Sequence, residues 1–576
     1  MASFDPQSDP ALSSYSTDSS SDSGEAIWAW PVQEPSRFSL SEFFSWCAIG
    51  LAALVLIGGN FYTQFFESPQ PVEKLPSQAE ITIRMALGVD SVDQDGASEA
   101  IAPLLESGPV IQRLGGILAQ SEIAGPEVAA ESLQVMKEQI EEYEYEPTDL
   151  EIQLISGVTH LIDVDRLKLA KKETRSGKNE PQDGEIEEVA DANGTDANAK
   201  DKDSNANDKG SGAGADGDLK QVLDVHPVVV DPVPVEESVL EEERALIKKH
   251  MGIAGALVLG NAKDVKARAM VSVVGATLVM AIVALASCVG LALLVTLIYY
   301  AGLGQLSGLM QVPGTGTPYY LEAFAVWIVG FVMAQFGVGV VVSLFGMDLK
   351  NSPVLASVVS LAIFYGPMFV GLFWLVTRHP APRTALRQVG FRSDGFLMDF
   401  GHAIVTYLAF LPLIGLSMLL TVGLTALVLG DESAANPFSP SRGPSHPISE
   451  QFGGSPWMLA YLYLMAAISA PIVEEIVFRG LLFRWLRDRT WQWGQSPEKP
   501  HKGVAISWPS VAISALVNSL LFAAIHPQGL LGIPPLMMIG ICMSVARNWR
   551  GGLVAPMTIH AIHNGTLVTL MAILSY

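Results

Sequence analysis

The C-terminal half of the chain alternates long apolar runs with short polar connections. From Met270 onward, eight runs are long enough to cross a bilayer, which takes about 20 helical residues. They cover residues 270–302, 319–345, 354–377, 399–430, 456–482, 509–527, 531–547 and 552–574. An earlier run, Phe43–Phe65, follows a start without the basic residues of a secretory signal, so we interpret it as an uncleaved anchor. The pattern predicts an all-α, polytopic transmembrane helix bundle of about eight spans with an N-terminal anchor helix.

A polar segment, residues 66–268, separates the anchor from the membrane domain, residues 270–576. Its centre, residues 172–219, is almost free of large apolar side chains and predicts a disordered acidic linker. The flanking parts repeat apolar residues at helical spacing and predict a soluble helical insert that this linker splits. Residues 1–42 are Ser- and Asp-rich and predict a disordered tail. The sequence leaves open whether the insert binds a protein partner or is an inert spacer.

Composition places the chain among membrane proteins. Of its 576 residues, 49% are apolar and 16% are charged, and mean hydropathy is positive. The formal net charge of −24 comes mainly from acidic residues before position 265 and does not describe the membrane domain. Cys47, Cys288 and Cys542 lie in predicted spans, too far apart in sequence for a metal motif or a disulfide framework. We expect an integral, multi-pass protein of a bacterial cytoplasmic membrane, without a nucleic-acid partner.

Charge in the connections between spans predicts the orientation in the membrane. Loops 378–398, 483–508 and 547–551 are basic and the alternate loops are not, so these three are expected in the cytoplasm. Counting spans back from them places the insert on the extracytoplasmic face. Three cations just before the span at 270 favour the opposite orientation: Lys263, Lys266 and Arg268. We follow the three consistent loops.

Three ionisable residues stand inside one apolar stretch, residues 466–482. Each costs roughly 2.5 to 3.5 kcal/mol near the centre of a membrane helix on insertion scales, so each needs a partner or a function. Glu475 and Arg479 are four residues apart, share a helix face and can neutralise each other. Glu474 points about 100° away on the helix and is left free. It is therefore the first candidate for chemistry.

Two further polar clusters fall in the last spans. Phe522 and His526 share one helix face, and Pro527 ends that helix after the histidine. His560 and Asn564 share a face of the final span. Polar groups in lipid face the bundle interior and find one another, so we predict a common site. Its members are Glu474, His526, His560 and Asn564.

The residue types in this site indicate hydrolysis. A carboxylate beside an imidazole can take a proton from water and make the water a nucleophile. A second imidazole and an amide can donate hydrogen bonds to the oxygen that gains charge when water attacks a carbonyl. The chemistry implied is amide hydrolysis without a covalent intermediate. The sequence has no GxSG, HExxH or paired membrane aspartates to favour another class of intramembrane protease.

The motifs EExxxR, FxxxH and HxxxN, in this order on successive apolar segments, resemble those of the CPBP family, the CAAX proteases and bacteriocin-processing enzymes of the type II CAAX prenyl endopeptidase kind. The resemblance covers about residues 320–576, the expected protease core. It implies an all-helical intramembrane protease. The residues that carry it are Glu474, Glu475, Arg479, Phe522, His526, His560 and Asn564.

The resemblance also implies roles for these residues. Glu474 and His526 would activate water, whereas His560 and Asn564 would form the oxyanion hole. Structural support would come from Glu475, Arg479 and Phe522.

Other interpretations stay open. Two histidines and a glutamate would suit zinc, but the local pair His560 and His563 has no Glu nearby in sequence, so we expect no cofactor and interpret His563 as a packing or supporting residue. A noncatalytic scaffold or immunity-type protein of the same fold is one alternative. A proton-coupled transporter with Glu474 and His526 as a relay is another, although no inverted repeat is present. The expected partners are a membrane-embedded or membrane-associated protein substrate and the lipid bilayer.

Overall fold

The computed structural model describes residues 39–65, 72–90, 92–176, 237–303, 318–347, 352–392, 395–429, 456–491 and 508–575, together with 305, 308–310 and 349. This part of the chain is helical and contains no strand. The helices are α1 Leu40–Phe65, α2 Ser77–Val89, α3 Gln94–Glu106, α4 Val110–Ile123, α5 Pro126–Glu142, α6 Asp149–Ser176, α7 Glu237–His250, α8 Gly252–Leu259, α9 Ala262–Gly302, α10 Tyr319–Phe345, α11 Pro353–Arg378, α12 Pro382–Val389, α13 Phe396–Leu429, α14 Pro456–Thr490, α15 Trp508–Ala524, α16 Ile533–Arg550 and α17 Val554–Ser575.

Eight of the described helices are long and apolar enough to cross a membrane: α1, α9, α10, α11, α13, α14, α16 and α17. The predicted all-α bundle with an N-terminal anchor is therefore confirmed, and the protein is an integral membrane protein. The predicted span 509–527 is shorter than expected, because α15 has 17 residues and ends at Ala524. A residue before proline is disfavoured in helical conformation, so a helix tends to end ahead of His526 and Pro527.

Helix α14, which carries the first motif, is wound irregularly. Leu464–Ser469 and Glu475–Leu482 form wide π-helical turns on either side of the regular turn Ala470–Glu474. Such turns are rare and are frequent at functional sites. The spacing of apolar residues predicts an ordinary helix here and does not reveal the wider winding.

An aromatic cluster packs the motif helices against α10. Phe478 of α14 lies edge-on to Phe324 and Trp327 of α10, with ring centroids 5.4 and 5.5 Å apart. Its ring also contacts Phe522 of α15 at 5.1 Å. All four side chains are buried, so this contact fixes the positions of α14 and α15 in the bundle.

The insert folds as a helical unit with its own core, as its periodicity predicts. Helices α2–α8 and the first turns of α9 bury a continuous set of apolar side chains. Val265 and Ala269 of α9 belong to this core, whereas Met270 and Val271 are exposed and begin the membrane part of the same 41-residue helix. Helix α6 continues to Ser176, into the first residues of the predicted linker; the linker's residues 177–219 lie outside the described residues, as do residues 1–38 of the predicted tail.

The insert and the basic loops lie at opposite ends of the bundle. Arg84 of the insert donates a hydrogen bond from Nη2 to the carbonyl oxygen of Ser575, at the C-terminal end of α17 (3.1 Å). The other end of α17 follows the basic loop 547–551, where Arg550 pairs with Asp399 at 2.6 Å. This arrangement agrees with the orientation that the three basic loops predict.

One of the three cations that favour the opposite orientation, Lys266, has a different explanation. Lys266 Nζ lies 2.8 Å from Asp90 Oδ2 and 2.9 Å from Glu122 Oε1, both in the insert. Its charge is thus neutralised within the folded insert. Because it does not face the bilayer as an unpaired charge, it is a weak signal of orientation.

Candidate active site

The three motifs meet at the side chain of Glu474. Its Oε2 lies 3.5 Å from Nε2 of His526 and 3.8 Å from Nε2 of His560. All three side chains are largely buried, with 14, 17 and 6% of their surface exposed. The structure therefore brings together three of the four side chains predicted to form the site, from α14, α17 and the turn that follows α15.

Hydrogen bonds at Nδ1 orient both imidazole rings. His526 Nδ1 lies 2.5 Å from the carbonyl oxygen of Phe522, and His560 Nδ1 lies 2.9 Å from Oε1 of Glu475. A carbonyl or carboxylate oxygen only accepts, so these partners assign the ring hydrogen to Nδ1. In each neutral ring, Nε2 is then an acceptor that faces Glu474. With Glu474 ionised and both rings neutral, none of these three facing atoms carries a hydrogen.

The predicted pair of Glu475 and Arg479 is present in the bundle interior. Arg479 Nη1 donates to Oε1 of Glu475 at 3.0 Å, and both side chains are fully buried. Nη2 of Arg479 donates to the carbonyl oxygen of Gly540 on α16 (3.1 Å). The guanidinium also lies 4.5 Å from the ring centroid of Phe522, which places Phe522 between the arginine and His526.

Glu475 has a second partner that the sequence interpretation missed. The same oxygen that accepts from Arg479 also accepts from His560 Nδ1. One carboxylate therefore joins α14 to α17. Spacing along a single helix could reveal the contact with Arg479 but not the contact with His560, because the latter depends on how two helices pack.

Asn564 is placed differently from the other three. Its Nδ2 donates to the carbonyl oxygen of Ala466 on α14 at 2.8 Å, and it makes no hydrogen bond to Glu474, His526 or His560 within the described part of the chain. The winding of α14 explains this acceptor. In the π-helical register, where Ala470 bonds Met465, the partner of Ala466 would be Pro471, which has no amide hydrogen. The Asn564 side chain supplies the missing donor.

Two more polar contacts surround the site. Tyr407 of α13 and His563 lie within hydrogen-bond distance, with 3.2 Å between Oη and Nδ1, as suits the supporting role predicted for His563. Asn60 of α1 donates from Nδ2 to the carbonyl oxygen of His526 at 2.8 Å. Sequence reasoning missed Tyr407 and Asn60. A polar residue within an apolar span was the available signal for Asn60.

No group of three or more His, Cys, Asp and Glu side chains is arranged to hold a metal ion among the residues that the structure describes. Two imidazole nitrogens and one carboxylate oxygen nevertheless face one another, which is a donor set that zinc accepts.

The part of the chain that matches a known protein family contains all three motifs. Residues 456–566 match the family model of the Rce1-like type II CAAX prenyl endopeptidases, a stretch that runs from the start of α14 into α17. An uncharacterized 24.3 kDa protein of Escherichia coli is 35% identical over 95 residues, which are 16% of this chain and 36% of that relative. The chain thus covers little more than a third of the relative's length. No solved structure matches. Residues 456–566 therefore match an Rce1-like type II CAAX prenyl endopeptidase domain, which bears out the resemblance to the CPBP family for this part of the chain.

Proposed function

We propose that this protein is an intramembrane endopeptidase that hydrolyses a peptide bond with a water molecule activated by Glu474 and His526. The observation that carries the proposal is the convergence of two imidazole Nε2 atoms on one carboxylate oxygen. Three acceptors this close need a donor between them, and a water molecule brings two. Glu474 can then accept a proton from this water as the oxygen attacks the substrate carbonyl carbon.

The proton is subsequently passed to the leaving nitrogen, so that Glu474 returns to its carboxylate form and the peptide bond is broken. His526, held by the Phe522 carbonyl, keeps its Nε2 directed at the water. Fixing the reacting groups in one geometry is a large part of catalysis, and the buried packing around Phe522 supplies it here.

His560 can stabilise the oxyanion only when Nε2 carries a hydrogen as well as Nδ1. This second hydrogen would be gained when the ring takes up a proton during the reaction, with Nδ1–H still donating to Glu475 at 2.9 Å. The second N–H of the Asn564 amide is the other proposed donor, since the first is bound to Ala466. Asn564 would thus serve both the packing of α14 on α17 and the transition state.

This mechanism uses no cofactor. In the competing arrangement, Glu474, His526 and His560 would hold a zinc ion, and the ion would activate the water. Elemental analysis of purified, active protein separates the two. Fewer than about 0.1 zinc per chain with full activity supports the proposal, whereas one zinc per chain whose removal and return control activity contradicts it.

The decisive test of proteolysis is Glu474→Gln, which keeps the shape of the side chain but cannot accept the proton. Membrane peptides are compared by mass spectrometry in cells that express the wild type or the variant. Peptides that need the enzyme should disappear with Glu474→Gln. Glu322→Gln is the matched control, because it removes a carboxylate from α10 that contacts Trp374 and Arg378 rather than the site.

If peptide patterns with wild type and Glu474→Gln are the same, the protein is not a protease of this kind. That result would favour the noncatalytic scaffold. The proposed substrate is a protein embedded in or associated with a bacterial cytoplasmic membrane, and the peptides lost in the variant would identify it.

A further inference from the structure

Two arginines line a cavity where the insert meets the membrane helices. The cavity measures about 180 Å³. This is far above the roughly 10 to 15 Å³ that one water needs, so a polyatomic anion fits together with several waters. Its walls come from α2, α8 and α9, and they are formed by Arg84, Gly252, Ile253, Ala256, Val265 and Arg268.

The charge around this cavity is not balanced. Glu80 is the near carboxylate, and its Oε1 accepts the amide hydrogen of Ile253 at 3.0 Å. Glu80 is the carboxylate whose charge acts on Arg84, whereas Nε of Arg268 donates to the backbone carbonyl oxygen of Asp264 at 3.4 Å. Burial lowers the pKa of Arg84, Glu80 opposes this, and the positive charge of Arg268 lowers the pKa further. An anion between the two arginines would relieve this repulsion.

Arg84 also has an unused donor. Its Nη2 bonds the carbonyl oxygen of Ser575, but its Nε is buried and has no hydrogen-bond partner in the described part of the chain. A buried donor without a partner is costly. Phosphate suits a guanidinium because two parallel N–H groups can bind two of its oxygens.

The cavity lies at the level where lipid contact begins. Arg268 comes just before the exposed apolar residues Met270 and Val271 on α9. Apolar walls from Ile253, Ala256 and Val265 continue from the arginines. Phospholipid headgroups occupy this boundary between hydrocarbon and water, and arginines near the ends of membrane helices attract their phosphates.

We propose that this cavity is a binding site for a phosphate group, with Arg84 and Arg268 as its ligands. The source favoured by its position is the headgroup of an anionic phospholipid. The proposal is independent of the proteolytic function, because none of the residues that line the cavity belongs to the site around Glu474.

The test uses the full chain in a neutral detergent, with thermal unfolding followed by tryptophan fluorescence. The probes are dihexanoyl phosphatidylglycerol, dihexanoyl phosphatidylcholine and inorganic phosphate. Phosphatidylglycerol should raise the unfolding temperature in a saturable way and more than phosphatidylcholine does. The dependence on probe concentration gives an apparent Kd.

Variants assign the site. Arg268→Gln and Arg84→Gln should each weaken the apparent Kd for phosphatidylglycerol about fivefold, and together about 25-fold, which is the effect of losing one or two interfacial charges. Arg268→Gln alone keeps the test valid if Arg84→Gln folds poorly, because Arg268 is exposed. Arg166→Gln is the control: Arg166 pairs with Glu127 elsewhere on the insert, and its loss should leave Kd unchanged.

A shift with phosphatidylglycerol alone supports a phospholipid headgroup, and equal shifts with phosphatidylglycerol and inorganic phosphate support a free phosphate. The proposal is overturned if neither probe binds the wild type, if phosphatidylcholine acts as strongly as phosphatidylglycerol, or if Arg268→Gln binds as the wild type does.

Discussion

The side-chain amide of Asn60 donates a hydrogen bond to the backbone carbonyl oxygen of His526 at 2.8 Å. This contact joins α1, which lies outside the family domain at residues 456–566, to the turn that holds a site histidine. At its other end, α1 presents Glu42, whose Oε1 accepts from Trp485 Nε1 of α14 at 3.1 Å. The anchor helix is therefore hydrogen-bonded to the family domain at both ends, and its Asn60 end reaches the site.

We expect Asn60→Leu to lower kcat about fivefold with little change in KM, because one lost hydrogen bond of about 1 kcal/mol would loosen the turn that orients His526. Steady-state kinetics on a peptide identified by the membrane-peptide comparison would measure both constants. Ser287→Ala is the control, since the Ser287 hydroxyl donates to the carbonyl oxygen of Val283 on its own helix α9. An unchanged kcat in Asn60→Leu would show that the anchor does not position the histidine.

The spacing of residues in the sequence predicts contacts that lie within one helix. The spacing of four residues predicts that Glu475 and Arg479 meet, and the structure places their atoms 3.0 Å apart. Polar residues in apolar spans likewise predict that Glu474, His526 and His560 face a common interior. These predictions rest on helix geometry and on the cost of polar groups in lipid, both of which act locally.

Residue spacing does not predict contacts between elements that are distant in the sequence. Nothing in the spacing of the chain relates Asn60 to His526, because their meeting depends on the packing of α1 against the bundle. Residue spacing does not predict the wide π-helical turns of α14 either. Once those turns leave the Ala466 carbonyl without a donor, Asn564 becomes a link between helices, a role that its position in HxxxN does not indicate.

The buried carboxylate of Glu475 should be needed for stability. Glu475→Gln leaves the Arg479 charge without its partner in the bundle interior, and we expect a loss of about 3 to 5 kcal/mol in the free energy of unfolding. Thermal unfolding in detergent measures the change. The double variant Glu475→Gln with Arg479→Met should recover part of the loss, because no stranded charge remains.

Glu127→Gln is the matched control for this measurement. Glu127 pairs with Arg166 on the surface of the insert, with 68 and 40% of the side chains exposed, so the change should be small. If Glu475→Gln unfolds at the wild-type temperature, the pair does not stabilise the bundle.

Asn564→Ala separates the two roles assigned to this amide. Loss of an oxyanion donor should reduce kcat by about 10² to 10³ with little effect on KM. Thr569→Val is the control, because the Thr569 hydroxyl bonds Tyr463 at 2.7 Å and links the same two helices one turn further along. It should lower the unfolding temperature to a similar extent and leave kcat per folded enzyme near the wild-type value. If Asn564→Ala, like Thr569→Val, leaves kcat near the wild-type value, Asn564 only holds the helices together.

The orientation of the insert can be tested by cysteine labelling at two positions. Ser211, in the part of the insert outside the described residues, should be extracytoplasmic, and Ser496, in the basic loop 483–508, should be cytoplasmic. A membrane-impermeant maleimide should therefore label Ser211→Cys in intact cells with a permeabilised outer envelope, and Ser496→Cys only after lysis. The wild type measures the background from Cys47, Cys288 and Cys542.

The two positions must respond oppositely if the bundle is oriented by its loops. The insert contacts Ser575 at one end of α17, whereas the basic loop 547–551 lies at the other end, so the membrane separates them. Labelling of Ser496→Cys before lysis and of Ser211→Cys only after lysis would show that the whole bundle has the opposite orientation. The three basic loops would then not determine the orientation in the membrane. Lys263, Lys266 and Arg268 would predict it better, despite the pairing of Lys266 within the insert. Labelling of both cysteines only after lysis would show that the insert and the basic loop lie on the same side of the membrane.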